Sequence, residues 1–451
     1  MSENQKLSPA KFGLLGFQHM FAMFGATVLV PTLTGLSVSA TLLFAGLGTL
    51  LFHLITKGKV PAFLGSSFAF LGGYFTVAGM QGFADAGLEW VPYAGAGVAC
   101  AGLVYVLVSQ LFRVFGAAKV MRFFPPIVTG PIIIAIGLIL SNTAINNCAA
   151  NWWIALLAIA IVVVCNIWGK GMIKIIPILL GVVGSYLVAA VAGQVDFSAV
   201  TNAKWVGLPF AMKDTVFSFF KTGVDGKLLL DAIIAMMPIS LATMMEHIGD
   251  MSAISSTVGK NYIEDPGLHR SLMGDGLATS MAALFGAPAN TTYGENTGVL
   301  ALTKVYNPAV VRMAAVLAVL FSFCPKFAAL IYCMPTATIG GVSLILYGMI
   351  SAVGVRNIVE NQVDFSKSRN VIIAALIIAL SLGIHFSSAM GCDTINSVNG
   401  ALSFSIGSVN ISLSGLAVGS LVGIILNAVL PGNDYEFGKN KKGDESANLQ
   451  V

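Results

Sequence analysis

The stretch Ala287-Pro288-Ala289-Asn290-Thr291-Thr292-Tyr293-Gly294-Glu295-Asn296 decides how this chain folds. It lies in a largely apolar run, yet it holds a proline, a glycine and a carboxylate. Proline removes a backbone donor and breaks a helix interior. Non-helical backbone at bilayer depth is tolerated only where protein buries it or where it lines a cavity. Pro61-Ala62-Phe63-Leu64-Gly65-Ser66-Ser67-Phe68 has the same character. The two stretches predict a pair of broken segments beside one cavity. Glycine, serine and alanine also let membrane helices approach closely, but packing needs no Glu-Asn pair at that depth.

Composition supports a lipid solvent. Of 451 residues, 56% are hydrophobic and 10% charged, against about a quarter charged in soluble chains. The net charge of +4 is too small to suggest nucleic acid as a partner. The six cysteines, Cys100, Cys148, Cys165, Cys324, Cys333 and Cys392, show no C-x-x-C spacing. They read as small buried hydrophobes, so no disulfide framework, metal or cofactor is expected. The polar start MSENQKLSPAK runs straight into an apolar segment with no cleavage site behind it. A retained first span is expected rather than a cleavable signal.

A spanning helix needs about 20 mostly apolar residues. Candidates lie at 13–31, 39–56, 62–80, 92–114, 126–144, 152–168, 174–193, 228–248, 271–287, 291–303, 309–331, 334–354, 369–388 and 411–430. Alternating them from a cytoplasmic N-terminus puts 19 of the 24 Lys and Arg residues inside. Only Lys204, Lys213, Lys221, Lys227 and Lys326 fall outside. Such a bias is the positive-inside signature, and it predicts about 14 spans with both termini in the cytoplasm. The polar stretch 194–227 divides them into sets of about seven. An odd set reverses the second half, which predicts a 7+7 inverted repeat of the kind secondary transporters use. The broken stretches are then the third segment of each half.

Ionisable groups inside spans are costly and mark pathways or sites. Glu246 and Asp250 are four residues apart, on one face of the eighth segment. Two close carboxylates in a poorly solvated site raise each other's proton affinity from the ordinary Glu value of about 4.3. His247 points to another side of that helix and is expected to pack. Glu295 follows Tyr293-Gly294 in the broken segment, where a carboxylate sits beside free backbone donors. That combination suits a flat ring with alternating N–H and carbonyl groups, with Phe68 or Tyr293 over its face. His19, within the first span, is expected either to orient Glu295, to join a proton path or to pack. Asp231, His385 and His53 lie near span ends, where interfacial solvation explains them as well as function does. His269 reads as a solvated loop residue.

These residues resemble the nucleobase–ascorbate transporter family, also called nucleobase:cation symporter-2. Glu295-Asn296-Thr297-Gly298 followed by Thr303-Lys304 is similar to the family signature: Gln, Glu or Pro, then Asn-x-Gly, four residues, Thr and a base. QHMFAMFGATVLVP at 18–31, GKVPAFLGSSFAF at 58–70, EDPGLHRS at 264–271, NTTYGENTG at 290–298 and GGVSLILYG at 340–348 also resemble it, most closely the bacterial uracil-permease branch. The resemblance implies an all-α polytopic fold with short strands in segments three and ten. It implies a core domain from 1–115 and 226–332, a gate domain from 116–200 and 333–431, and a polar cytoplasmic tail at 432–451. It also implies that Glu246 and Glu295 bind a pyrimidine ring and that backbone N–H groups of Phe68 and Gly294 meet its carbonyls. Tyr293, His19, Asn296 and Asp275 would support the site. Asp250, Glu295 and His19 would carry proton coupling.

The implied function is proton symport of uracil by alternating access, in a homodimer in the bacterial plasma membrane. One departure stands out. Uracil permeases typically carry His four residues after the Glu of span eight, where this chain has Asp250. That acid, and Asp275, look more like purine-transporting members, so xanthine is the alternative substrate. An anion exchanger of similar architecture would present basic groups or helix N-termini in place of these acids. H-E-x-x-H, paired C-x-x-C and Walker A patterns do not occur, so no enzyme is expected.

Overall fold

The computed structural model describes residues 8–387, 390–391, 395–398, 401–406, 409–432 and 435. Helix α1 (Pro9–Thr34) starts where Ser8 accepts from the Lys11 amide and Pro9 opens the first turn. It stops at Gly35, whose φ of 77° is the left-handed C-cap geometry. Ser37 caps α2 (Val38–Ile55) in the same way. The chain continues through strand β1 (Leu64–Ser66) and helices α3 (Leu71–Ala78), α4 (Val91–Phe115), α5 (Pro126–Cys148), α6 (Trp152–Ile167) and α7 (Pro177–Val191). A polar connection with short helical turns then leads to α8 (Gly226–Met236), α9 (Ile239–Val258) and α10 (Leu268–Leu284). Strand β2 (Asn290–Thr292) and α11 (Gly294–Thr303) follow, then α12 (Pro308–Ser322), α13 (Pro325–Tyr332), α14 (Thr336–Glu360) and α15 (Ser368–Phe386). Strands β3 (Met390–Gly391), β4 (Ile395–Val398), β5 (Ala401–Ile406) and β6 (Val409–Ser414) precede α16 (Gly415–Val429).

Among the described residues, seven helical stretches are long and apolar enough to cross a membrane: α1, α2, α4, α5, the joined α8–α9, α14 and α15. The pair α12 and α13 makes an eighth if counted as one span bent by 87°. Large apolar side chains such as Trp153, Leu107, Leu187 and Val191 point outward, which is the surface of a multi-pass membrane protein rather than a soluble one.

Two groups of helices pack among themselves. In one, α4 packs on α10 and α8, α12 on α2 and α1, and α10 on α2. In the other, α14 packs on α5 and α6, α15 on α16 and α5, and α7 on α6. Glycines set the closest approach in both. A Cβ on Gly102 of α4 would meet the Gly276 carbonyl of α10 at 2.5 Å, and one on Gly276 would meet the Gly102 carbonyl at 2.6 Å. Gly130 and Gly354 do the same for α5 and α14, at 3.2 and 2.7 Å. Close backbone approach through small residues is how membrane helices gain packing without a hydrophobic driving force.

The structure corrects four expectations. Strands are not confined to the broken segments: β3–β6 form a four-stranded antiparallel sheet in which β6 lies against α8. Its last strand takes the first residues of the expected span 411–430, so that helix begins only at Gly415. The eighth segment does not end near 248 but runs on to Val258, after a break at Met237-Pro238. The eleventh is not straight but turns at Phe323-Cys324, before Pro325.

Candidate functional site

The two broken stretches meet. β1 and β2 pair antiparallel, with Leu64 opposite Thr292, Gly65 opposite Thr291 and Ser66 opposite Asn290. The Ser67 amide donates to the Ala289 carbonyl at 2.8 Å, and the Tyr293 amide to the Phe63 carbonyl at 3.0 Å. A strand pair three residues long is too short to stand alone, and neighbouring helices hold it. The Leu64 amide donates to Thr49 Oγ1 of α2 at 2.9 Å. Asn290 Nδ2 donates to the Phe44 carbonyl of α2 at 2.9 Å, and Thr279 Oγ1 of α10 donates to the Asn290 carbonyl at 2.8 Å.

Tyr293 braces one stretch against the other. Its hydroxyl donates to the Ser66 carbonyl at 2.8 Å and receives the Thr27 hydroxyl of α1 at 3.3 Å. Gly65 makes this possible, because a Cβ there would meet the Tyr293 ring at 2.5 Å. Removing one hydroxyl while leaving its buried partners costs about 1–3 kcal/mol. Tyr293→Phe is therefore expected to lower the thermal midpoint of the purified protein in detergent. An unchanged midpoint would show that the brace contributes nothing.

After each strand the chain turns into a helix, α3 after β1 and α11 after β2, so two helix N-termini open beside the paired strands. Such ends carry unpaired backbone donors and a partial positive charge. Helix α9 lies alongside. Glu246 and Asp250 are both half-buried on it, one turn apart. Asp250 Oδ2 accepts from the Thr292 hydroxyl of β2 at 2.8 Å, and a Cβ on Gly294 would lie 3.7 Å from Asp250 Oδ1. The side chain of Glu295, second residue of α11, lies outside the described residues, so its expected contact with the ligand and with His19 is not part of this geometry. Its backbone opens α11.

His19 meets the residue after Glu295. Asn296 Nδ2 donates to the His19 carbonyl at 3.0 Å and lies 3.1 Å from His19 Nδ1. A carbonyl only accepts, which fixes the amide orientation. His19 Nδ1 is then an acceptor, and in the neutral ring Nε2 carries the proton. His19, Asn296 and Thr297 are buried, as is Phe68, whose ring meets Tyr347 of α14 edge-on at 5.6 Å. This last contact joins the two helix groups beside the strand pair.

Three partners escaped the sequence reading. Tyr347 lay in a span with no charge to draw attention to it. Thr292 was one polar residue among several in its stretch. His247 was expected merely to pack. It is fully buried, with Nδ1 3.2 Å from Asp275 Oδ2 of α10 and 3.4 Å from Thr292 Oγ1. The signal available for His247 was its place beside Glu246 inside a span. The far partner, Asp275, was 28 positions away and nothing in the sequence linked the two. His53, read as interfacial, is also buried and bonds the Ala62 carbonyl at 2.9 Å, just ahead of β1. No group of three or more metal-ligating side chains occurs among the described residues.

Residues 10–390 match the profile of the Permease family. Curated relatives include a uracil permease of Bacillus subtilis (strain 168), 39% identical over 438 residues that cover 94% of each chain. A uracil permease of Bacillus caldolyticus is 40% identical over 93% of this chain and 91% of its own. A putative pyrimidine permease of Escherichia coli (strain K12), RutG, is 36% identical over 89% of each. Among solved structures, the transmembrane domain of the cyanobacterial bicarbonate transporter BicA superposes with a TM-score of 0.57 at 15% identity, covering 93% of this chain and 97% of that one. Murine Slc26a9, an anion transporter captured facing inward, gives 0.60 at 10% identity, covering 94% and 68%. At those identities the structural likeness speaks to fold alone.

Proposed function

This chain belongs to the Permease family, a multi-pass membrane transporter and not an enzyme, and from that premise we propose that it imports uracil together with a proton. The observation that carries the reading is a helix with two half-buried carboxylates, Glu246 and Asp250, of which Asp250 is bonded to Thr292 in paired strands that open into two helix N-termini. Uracil presents ring N–H groups and carbonyls in alternation. Glu246 and Glu295 accept from the ring N–H groups, and the amides of Phe68 and Gly294 donate to the carbonyls. Tyr293 and His19 hold these groups in place, with Asn296 behind them.

Proton coupling follows from the same acids. A carboxylate at a poorly solvated site gains a proton more readily than one in water, and Asp250, Glu295 and His19 are the groups assigned to it. Alternating access is assigned to the two helix groups, α1–α4 with α8–α13 as the core and α5–α7 with α14–α16 as the gate. The separate packing of each group supports that division. A 7+7 inverted repeat, both termini in the cytoplasm, a homodimer and the bacterial plasma membrane belong to the same reading.

The deciding experiment is radiolabelled uracil uptake into proteoliposomes under an imposed pH gradient. The expected result is concentrative uptake that an uncoupler abolishes. Uptake indifferent to both would remove the coupling. Asp250, where uracil permeases usually carry His, favours a purine as the second reading. Competition for uracil binding by xanthine, adenine and uric acid decides between them: displacement by xanthine at lower concentration than by uracil itself would reassign the substrate.

A further inference from the structure

Behind the strand pair, a chain of buried polar contacts runs from the candidate site into the interior. Thr292 Oγ1 donates to Asp250 Oδ2 at 2.8 Å and lies 3.4 Å from His247 Nδ1. His247 Nδ1 in turn lies 3.2 Å from Asp275 Oδ2. The Thr292 hydroxyl has a single proton, and here it points to Asp250. Toward His247 the same oxygen is therefore an acceptor, and Nδ1 must carry the ring proton. Among the described residues, His247 Nε2 and both Asp275 oxygens have no hydrogen-bond partner, though all three are buried. The His247–Asp275 contact is close enough for an ion pair but is not aligned as a hydrogen bond.

With His247 neutral and Asp275 ionised, this pair holds one uncompensated negative charge at zero exposure. Burying such a charge is expensive. One added proton, at His247 Nε2 or on the Asp275 carboxyl, makes the pair neutral overall. We propose that His247 and Asp275 add a buried station to the coupling groups Asp250, Glu295 and His19, sharing the co-transported proton with Asp250, and that Thr292 links its presence to Asp250 and to the substrate strand. Because one hydroxyl cannot donate in both directions, protonation of Asp250 and the proton position on His247 depend on each other. Thr292 also ends β2, two residues before Gly294, so the link reaches the backbone assigned to the substrate.

The other groups facing the pair are accounted for. Phe52 of α2 meets the His247 ring edge-on at 6.2 Å. Its neighbour His53 is turned to the Ala62 carbonyl. Tyr105 of α4 is bonded to Thr243 of α9, and it lies within electrostatic reach of Asp275 and Glu246. Glu246 is the residue before His247 on α9.

The proposal rests on the symport reading, so the native protein is tested first. Uptake that ignores the pH gradient in the native chain would remove that reading itself. If the native chain responds, gradient-driven uracil accumulation is compared with uracil counterflow at equal pH, which needs no net proton movement. His247→Gln is expected to keep counterflow within about threefold of native while gradient-driven accumulation falls about tenfold or more, a coupling of the size usual between linked sites. Asp275→Asn is expected to lose accumulation as well, and the double variant to be no worse than the more severe single, as residues acting as one unit require. Thr292→Val is expected to uncouple in the same way, and Thr292→Ser, which restores the hydroxyl, to recover accumulation. Normal accumulation in His247→Gln and Thr292→Val would overturn the proposal. So would parallel loss of counterflow and accumulation, unrestored in Thr292→Ser, which marks a purely structural role.

Discussion

Glu246→Ala is expected to lower uracil affinity by about ten- to a hundredfold while the protein still folds. The side chain sits midway along α9, half-buried, one turn before Asp250, which is bonded to Thr292 of β2. Its helix neighbours Met244, Met245, Ile248 and Met251 are in the core, so α9 stays anchored when one carboxylate is removed. A hydrogen bond to a charged group contributes about 1.5–3 kcal/mol. On the proposed reading Glu246 accepts one ring N–H, and its loss leaves that ligand donor unpaired in a dry site. Glu246→Gln keeps the shape and a carbonyl acceptor but loses the charge, so it is expected to fall between native and Ala. Equilibrium binding of labelled uracil to purified protein provides the measurement. Affinity within threefold of native in Glu246→Ala would place the ligand elsewhere.

The second large effect is structural. Gly102→Leu is expected to prevent α4 and α10 from closing, at a cost of at least about 3 kcal/mol. The reciprocal fit of Gly102 and Gly276 puts each backbone carbonyl where the other residue's Cβ would stand. Carbonyls belong to the helix ladder and cannot swing aside as a side chain can. Helix α10 also carries Asp275 and Thr279, the latter bonded to β2, so separating the helices disturbs the strand pair as well. The expected observation is loss of a monodisperse peak in size-exclusion chromatography. Gly102→Ala, with a smaller intrusion, is expected to keep the peak and lower the thermal midpoint. A monodisperse Leu variant with native stability would show that the helices tolerate separation.

Much of this arrangement was legible in the chain itself. Pro61, Pro288 and the polar residues after them announced two helix breaks, and the spacing of Glu246 and Asp250 placed both acids on one face. What went unread had definite causes. Leu402-Ser-Phe-Ser-Ile406 and Val409-Asn-Ile-Ser-Leu-Ser414 alternate apolar and polar residues, the period of a strand. A hydropathy window long enough for a spanning helix averages that alternation away, so the second run was absorbed into the final span. The eighth segment seemed to end at 248 because half-buried polar residues such as Asp250, Ser252 and Ser255 depress hydropathy without interrupting a helix. Proline at 325 marked the elbow, but proline after a short polar turn also starts ordinary helices. The contacts of His247, Thr292 and Tyr347 depend on elements from distant parts of the chain, and periodicity carries no information about those.

The pairing of β1 with β2 also constrains how the protein is made. Ser66 has its partner at Asn290, so the first half of the chain is threaded into the bilayer long before the residues that complete its break exist. Until then the Leu64 backbone is bonded to its own half through Thr49, but the backbone of residues 65 and 66 lacks its strand partner in a solvent that offers no substitute. The break in the first half is expected to stay incompletely bonded until residue 292 has been synthesised. A gene split within the polar connection at 194–227 should therefore yield stable protein only when both fragments are produced together. The first fragment expressed alone should be cleared by membrane proteases.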